Sequence, residues 1–292
     1  MIFEFNNFNK NYLIIILLYI NTVSCQVSKD NLIGNDFRLF EDTPAWKLAK
    51  AVRNQDTSKF ARILTDSKID VDYEEPKYGR SVLQIAVLNN LDESVQKLLE
   101  LGADPNHYSR AEGKTALHDA VGVFQHNDDT TVLSLLLLYG GDPNALTHPP
   151  VGADSENVLS VLCGNVDDQL KKLKLLVKAG ASLEYDENDN SNFLNAAVLS
   201  QNYKLVYYLL NVGLNYQKPI FTNFSGINLS LEYCMKRQLI DLESEEYQYK
   251  LKVIDFLEKR GVDYRGVIPP KKTIEMAKRQ YPDSWEEYLK VY

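Results

Sequence analysis

The chain has 292 residues, 45% of them hydrophobic and 25% charged, enough length and apolar content to bury a sizeable core. Fourteen glycines and ten prolines are too few for a collagen-like or linker-dominated chain. Lys and Arg total 32 against 40 Asp and Glu, and the resulting formal charge of −8 disfavours non-specific binding to nucleic acid.

Residues 1–25 come first in chain order. The apolar run Tyr12–Ile20 is nine residues long, well short of the ~20 that span a bilayer, and it reads as the core of a secretory signal. A small and polar stretch, Asn21 to Cys25, follows it. Two processing routes are open: cleavage after Cys25, which leaves Gln26 as the new terminus, or lipidation of Cys25 with cleavage just before it. Val23-Ser24-Cys25 resembles the lipobox of bacterial lipoproteins, with Thr22 standing where leucine is usual. That resemblance implies a lipid anchor at Cys25, membrane contact through the lipid alone, and an exported protein held in the bacterial periplasm or at the outer membrane. A secreted form is the alternative. Residues 26–42 then form a tether or N-terminal cap, with Phe37, Leu39 and Phe40 expected to dock onto the element that follows.

From residue 43 onward the sequence repeats. Tyr78–Asn106 is followed by a similar Gly113–Asn144, and weaker copies come later. Leu83, Leu117, Leu159, Leu194 and Leu231 are spaced 34, 42, 35 and 37, and Gly102, Gly141, Gly180, Gly213 and Gly261 are spaced 39, 39, 33 and 48. A unit of about 33 residues with insertions accounts for both series. The surplus falls at His126–Thr130 in the third unit and around Asp241–Tyr247 in the sixth. A first, fainter unit is read from Leu48–Asp56 and from Phe60, Ile63 and Leu64.

Thr115-Ala116-Leu117-His118-Asp119-Ala120 matches T-P-L-H-x-A with only the proline replaced, and Gly102-Ala103-Asp104-Pro105-Asn106 is a helix-ending turn of the same family. These segments resemble ankyrin repeats. The resemblance implies an all-α ankyrin-repeat solenoid of about six helix-turn-helix repeats over residues 43–265, with projecting turns. His118 would then hydrogen-bond to tie neighbouring turns together. Residues 266–292 break the pattern at Pro269-Pro270 and are expected to form a C-terminal helical cap from Lys271–Arg279 and Ser284–Lys290.

No nucleotide-binding loop, nucleophile elbow, CxxC or HExxH occurs, so the expectation is no catalytic residue, no cofactor and no metal site. Cys163 and Cys234 read as small buried core residues, and His107, His126 and His148 as solvated turn residues. The informative surface is the row of turn tips, which ankyrin-repeat proteins use with their inner helices to grip a protein. Candidate partner-binding residues there are Asp72, Tyr73, His107, Tyr108, Glu184, Tyr185, Tyr216 and Tyr264. Tyrosine supplies a large rigid contact with a polar end, and the acids would steer a basic partner. The expected function is therefore that of a monomeric, tethered protein-binding module, of the kind an immunity or inhibitor protein requires. An envelope scaffold or adaptor, or a secreted effector that binds a host protein, is the alternative.

Overall fold

The structure, a computed structural model, describes residues 31–122, 129–148, 155–163, 169–184, 193–223 and 225–292. Helices dominate them. A 3-10 turn at Phe37–Phe40 leads into α1 (Trp46–Arg53) and, after another such turn at Thr57–Lys59, α2 (Phe60–Ser67). Four further pairs follow: α3 (Val82–Leu88) and α4 (Asp92–Glu100), α5 (Ala116–Gly122) and α6 (Thr131–Leu138), α7 (Val158–Cys163) and α8 (Gln169–Lys178), α9 (Phe193–Leu199) and α10 (Tyr203–Asn211). A short antiparallel hairpin, β1 (Phe221–Thr222) with β2 (Asn228–Leu229), precedes α11 (Leu231–Met235), α12 (Glu245–Glu258), α13 (Lys271–Gln280) and α14 (Trp285–Val291).

The second pair shows how the sequence builds these elements. Ser81 and Gln84 form a capping box at the start of α3, the Ser81 hydroxyl accepting from the Gln84 N–H while the Gln84 side chain accepts from the Ser81 N–H. Val82 to Val87 are then buried without a break, as befits a helix enclosed on most sides. Helix α4 is amphipathic instead. Asp92 and Glu93 occupy its first turn, where the helix dipole favours acids, and Val95, Leu98 and Leu99 face the core. It ends at Gly102, whose φ of +90° is the left-handed conformation that a closing turn requires.

Neither kind of helix can bury its apolar surface alone. The first helices of successive pairs therefore pack on one another, α1 on α3, α3 on α5, α5 on α7, α7 on α9 and α9 on α11. The second helices do the same, α4 on α6, α6 on α8, α8 on α10 and α10 on α12. Between these two rows runs a continuous apolar core, with Leu83, Leu117, Leu194 and Leu231 fully buried and Leu159 nearly so. Ala86 and Ala197 sit where first helices approach closely, and Cys234 takes the equivalent place on α11 as a buried free thiol whose pKa burial pushes up to about 11.

The structure corrects the glycine register. Gly140, with φ +91°, is the partner of Gly102 and Gly180, and Gly141 corresponds to Ala103. A β-carbon on Gly141 would press on the Leu136 carbonyl, so this position also favours glycine, and spacing alone does not separate the two. The surplus in the sixth unit becomes a turn at Asp241–Ser244 and a lengthened α12 of 14 residues, capped by Ser244. Of the surplus in the third unit, residues 126–128 lie outside the described residues.

The described residues are anchored at both ends. Phe37, Leu39 and Phe40 are buried, their 3-10 turn packs on α1, and the Leu32 carbonyl accepts from Lys77 Nζ at 2.9 Å and Tyr78 Oη at 3.0 Å. Helices α13 and α14 pack on each other, and Tyr288 Oη both donates to the Ile240 carbonyl and accepts from the Ile240 N–H at 2.8 Å. Thr273 Oγ1 donates to Arg237 O at 3.0 Å and Tyr247 Oη to Val291 O at 2.9 Å, so α13 is bound to the segment after α11 and α14 to α12. Among the described residues, no helix is long and apolar enough to cross a membrane.

Candidate functional site

Between one helix pair and the next the chain projects a narrow turn. Four of these turns are closed by a backbone bond among the described residues: Glu75 N–H to Arg80 O at 3.0 Å, Ser109 N–H to Lys114 O at 2.8 Å, Thr147 N–H to Glu156 O at 2.8 Å, and Ile220 N–H to Leu229 O at 3.0 Å. The first turn is organised by the buried Glu75 carboxylate, which accepts from the N–H groups of Lys77, Tyr78 and Arg80 at 2.7, 2.8 and 3.1 Å. Neighbouring turns are also joined, Ala111 N–H donating to Tyr78 O and His148 N–H to Gly113 O. Gly113 has φ +61°, and a β-carbon there would overlap the His148 backbone, so this close approach requires glycine.

A second set of bonds runs along the base of the row. Asp70, Asp104 and Asp142 each accept from the N–H two residues ahead and close their own turn. Asp72, Asn106 and Asn144 reach forward, accepting from the N–H groups of Asp104, Asp142 and Ser182 at 3.0, 2.7 and 2.6 Å. The two asparagines add donors, to Gly140 O at 2.9 Å and Gly180 O at 3.1 Å. The Asp-x-Asn spacing therefore splits two tasks, one acceptor for the local turn and the next for the following unit.

Behind the tips lies a buried ionic bridge. Arg80 donates to Asp119 at 2.7 Å and to Glu112 at 2.8 Å, linking the first turn, the second turn and α5. Burial pushes the Asp119 pKa up to about 6 despite the adjacent guanidinium. Next to it, His118 Nδ1 accepts from the Thr115 N–H at 3.3 Å and lies 2.8 Å from Thr115 Oγ1. An accepting Nδ1 leaves the proton on Nε2, which is buried without a direct hydrogen-bond partner, so the expected His118 bond to the neighbouring turn is not formed among the described residues. Burial lowers the His118 pKa to about 4, so the ring is neutral at pH 7.

The expected partner-binding residues divide. Tyr73 is half-buried against the core, Tyr108 stacks on His148 with ring centroids 4.1 Å apart, and Tyr216 meets Phe256 edge-on at 5.9 Å. His107 sits 3.4 Å from Glu74, which also holds Arg110 at 2.5 Å. Glu184 is exposed and pairs with Lys218 at 3.2 Å. Asp72 is engaged in the ladder, and burial raises its pKa. Tyr264 is the correction: at 2% exposed it belongs to the core, where Lys236 lies 4.6 Å from its ring centroid. A tip position in the repeat template does not expose it: Lys236 lies over its ring, and Tyr292 of the C-terminal segment lines the same cavity. Tyr185 and Cys25 lie outside the described residues. Among the described residues, no cluster of three or more His, Cys, Asp or Glu side chains could hold a metal ion.

Sequence reasoning did not find Glu75, the Arg80 bridge or the buried lysines of the C-terminal third. For one of these a signal exists. On α12 the apolar stripe Tyr247, Ile254, Leu257 has Lys250 at its missing step, which places that lysine on the buried face.

The ankyrin-repeat family profile matches residues 78–110 and 112–148, so the chain contains ankyrin repeats there. Similar curated proteins include Rabankyrin-5 of Mus musculus, 29% identical over 147 residues that make up 49% of this chain and 11% of that protein. Protein PhlB of Serratia liquefaciens is 32% identical over 118 residues, 40% of this chain and 48% of that protein. The mitochondrial disaggregase of Bos taurus is 30% identical over 178 residues, 59% of this chain and 24% of that protein. The chain thus spans half or less of the length of these relatives. Ankyrin repeats imply a protein-interaction module.

Proposed function

We propose that the chain is an exported, lipid-anchored ankyrin solenoid of about six repeats, closed by a C-terminal helical cap, that grips a protein through its turn row and adjoining first helices. The observation that supports this reading is the cross-linking of successive turns. Asp72, Asn106 and Asn144 bond each tip to the next, and the turns above them share backbone bonds, so the row is preorganised. A preorganised surface loses little conformational freedom on binding. Exposed Asp70, Asp104, Asp142 and Glu184 give its edge negative charge, which suits a basic partner. An immunity or inhibitor role fits these features, with the tethered protein covering the active face of an incoming toxin; Cys25 supplies the tether. Its work is binding, not catalysis.

The test is affinity capture of tagged full-length protein from its own membrane fraction, with mass spectrometry of the bait's terminus and of its partner. A lipid-modified Cys25 and one near-stoichiometric basic partner are expected. Replacing Tyr73, Tyr108 and Tyr216 together by Ala, and separately reversing an exposed acid with Glu184→Lys, should weaken that partner's binding while leaving helical content unchanged. Unaltered affinity in both variants removes the turn row from the reading, and an unmodified Gln26 terminus removes the anchor.

A further inference from the structure

The C-terminal third buries two lysines without a carboxylate. Lys250 on α12 is fully buried, its Nζ donating to Met235 O at 3.1 Å and lying 3.6 Å from the Tyr292 ring centroid and 5.6 Å from that of Tyr203. Lys236, 3% exposed, donates to Val267 O at 2.9 Å and lies against the Tyr264 ring. Neither amine has an ion-pair partner among the described residues. Asp263 acts on Lys236 only at longer range, and its carboxylate accepts from the Gly266 N–H at 2.8 Å. Carbonyl oxygens and ring faces offset part of the cost of burying these charges, but two like charges held near each other without an anion remain unfavourable. Burial, and then their mutual repulsion, lowers the Lys250 pKa well below the ordinary lysine value.

Lys236 opens onto a cavity of about 290 Å³. Tyr264 and Tyr292 form part of its wall, and Arg265 and Lys290 line it with them. Its remaining lining is aliphatic: Leu251, Ile254, Leu289 and Val291. Among the described residues no carboxylate side chain lines it, although the whole chain carries a formal charge of −8. A concave, mainly apolar site with a few convergent polar groups is the usual form of a small-molecule pocket, and this one lies at the small end of the ~300–1,000 Å³ range.

We propose that this cavity binds a short amphipathic organic anion, its carboxylate or phosphate head on Lys236 and its apolar body against Leu251, Ile254, Leu289 and the two tyrosine rings. The head supplies the counter-charge that the lysine pair lacks. Arg265, which also pairs with Glu258 at 3.0 Å, and Lys290 draw the anion in from solvent. This inference does not rest on the protein-binding reading of the turn row.

The experiment is titration calorimetry on the full chain with octanoate, octyl phosphate, inorganic phosphate and octylamine. Octanoate or octyl phosphate should bind, and whichever is tighter identifies the head. Inorganic phosphate and octylamine should bind at least ~10-fold more weakly, the first lacking the apolar body and the second having the wrong charge. Lys236→Met should weaken the preferred anion at least ~10-fold, and the double variant Arg265→Gln, Lys290→Gln, both at exposed positions, about threefold. The double variant carries the test if Lys236→Met fails to fold. Absence of binding by either octyl anion at millimolar concentration, equal affinity for octylamine, or anion affinity unchanged in every folded variant would overturn the proposal.

Discussion

His118 offers the sharpest check on the packing of the turns. Its folded pKa is about 4, against the 6.5 of a free imidazole, and burial is the leading cause. A group with a depressed folded pKa is unprotonated in the native state while the unfolded chain still binds a proton. Between pH 6.5 and 4 the unfolded state therefore holds more protons, and acidification favours it. His118 contributes its full stabilisation above pH 6.5 and loses it as the pH falls toward 4. At 1.36 kcal/mol for each pKa unit, the gap corresponds to about 3 kcal/mol.

Asp119, beside it, works in the opposite sense. Its pKa is raised from 3.8 to about 6, so between those values the native state binds the extra proton and stability falls as pH rises. In the unmodified protein the two proton counts oppose each other over much of the same window. A pH profile of the parent alone would hide both. The informative quantity is the difference between the parent and His118→Gln, from urea unfolding at several pH values between 4 and 7.5. The parent's advantage at pH 7 should shrink by about 3 kcal/mol on reaching pH 4. A gap that stays constant across the range, or a His118 titration near 6.5 by NMR, would refute a buried neutral imidazole.

Two further substitutions test the turn row. Asn106→Ala and Asn144→Ala each remove an accepted and a donated bond between units, and each should cost about 1–2 kcal/mol, the lower part of the range for two bonds because the positions are partly solvated. Faster amide exchange at Asp142 and Ser182 would mark the loss, and unchanged exchange would remove the ladder from the account. Gly113→Ala and Gly102→Ala share the strain of a positive φ, but only Gly113 faces a neighbouring backbone. Thermal or denaturant unfolding should therefore place Gly113→Ala about 2 kcal/mol or more below Gly102→Ala; equal costs would mean that the turns do not depend on that approach.

What was legible in the sequence is what repeats. The core leucines, the helix pairs from residue 46 onward, and the two short helices after Pro269-Pro270 could be read because apolar periodicity and punctuation report backbone geometry directly. Gly140 was misread as Gly141 because spacing cannot choose between adjacent glycines, whereas φ can. Tyr264 was misplaced for a different reason. A repeat template assigns positions by analogy with other units, whereas Tyr264 sits beneath Lys236 and shares a cavity wall with Tyr292, which lies outside the template. Arg80, Glu112 and Asp119 were invisible for the same cause, since ion pairing across 32 and 39 residues leaves no local pattern.

The two regions are held together by different chemistry, and this bears on function. Around residues 70–184 successive units are joined by the same Asp and Asn side chains bonding to exposed backbone, a device that can be copied from one unit to the next. From Tyr203 onward the joints are unrepeated: buried tyrosines, two lysines without carboxylates, and helices α13 and α14 tied back to the carbonyl groups around α11. A joint that needed only stability would be simplest with apolar side chains of similar volume, since buried unpaired charge opposes folding. Departures of this kind from the cheapest packing are where a dedicated site is expected in an otherwise consistent fold. Packing here runs between successive helix pairs, so damage to the Asn106 ladder should stay local and leave anion affinity at Lys236 intact. The turn row and the lysine cavity can therefore be tested separately in one protein, each serving as the folding control for the other.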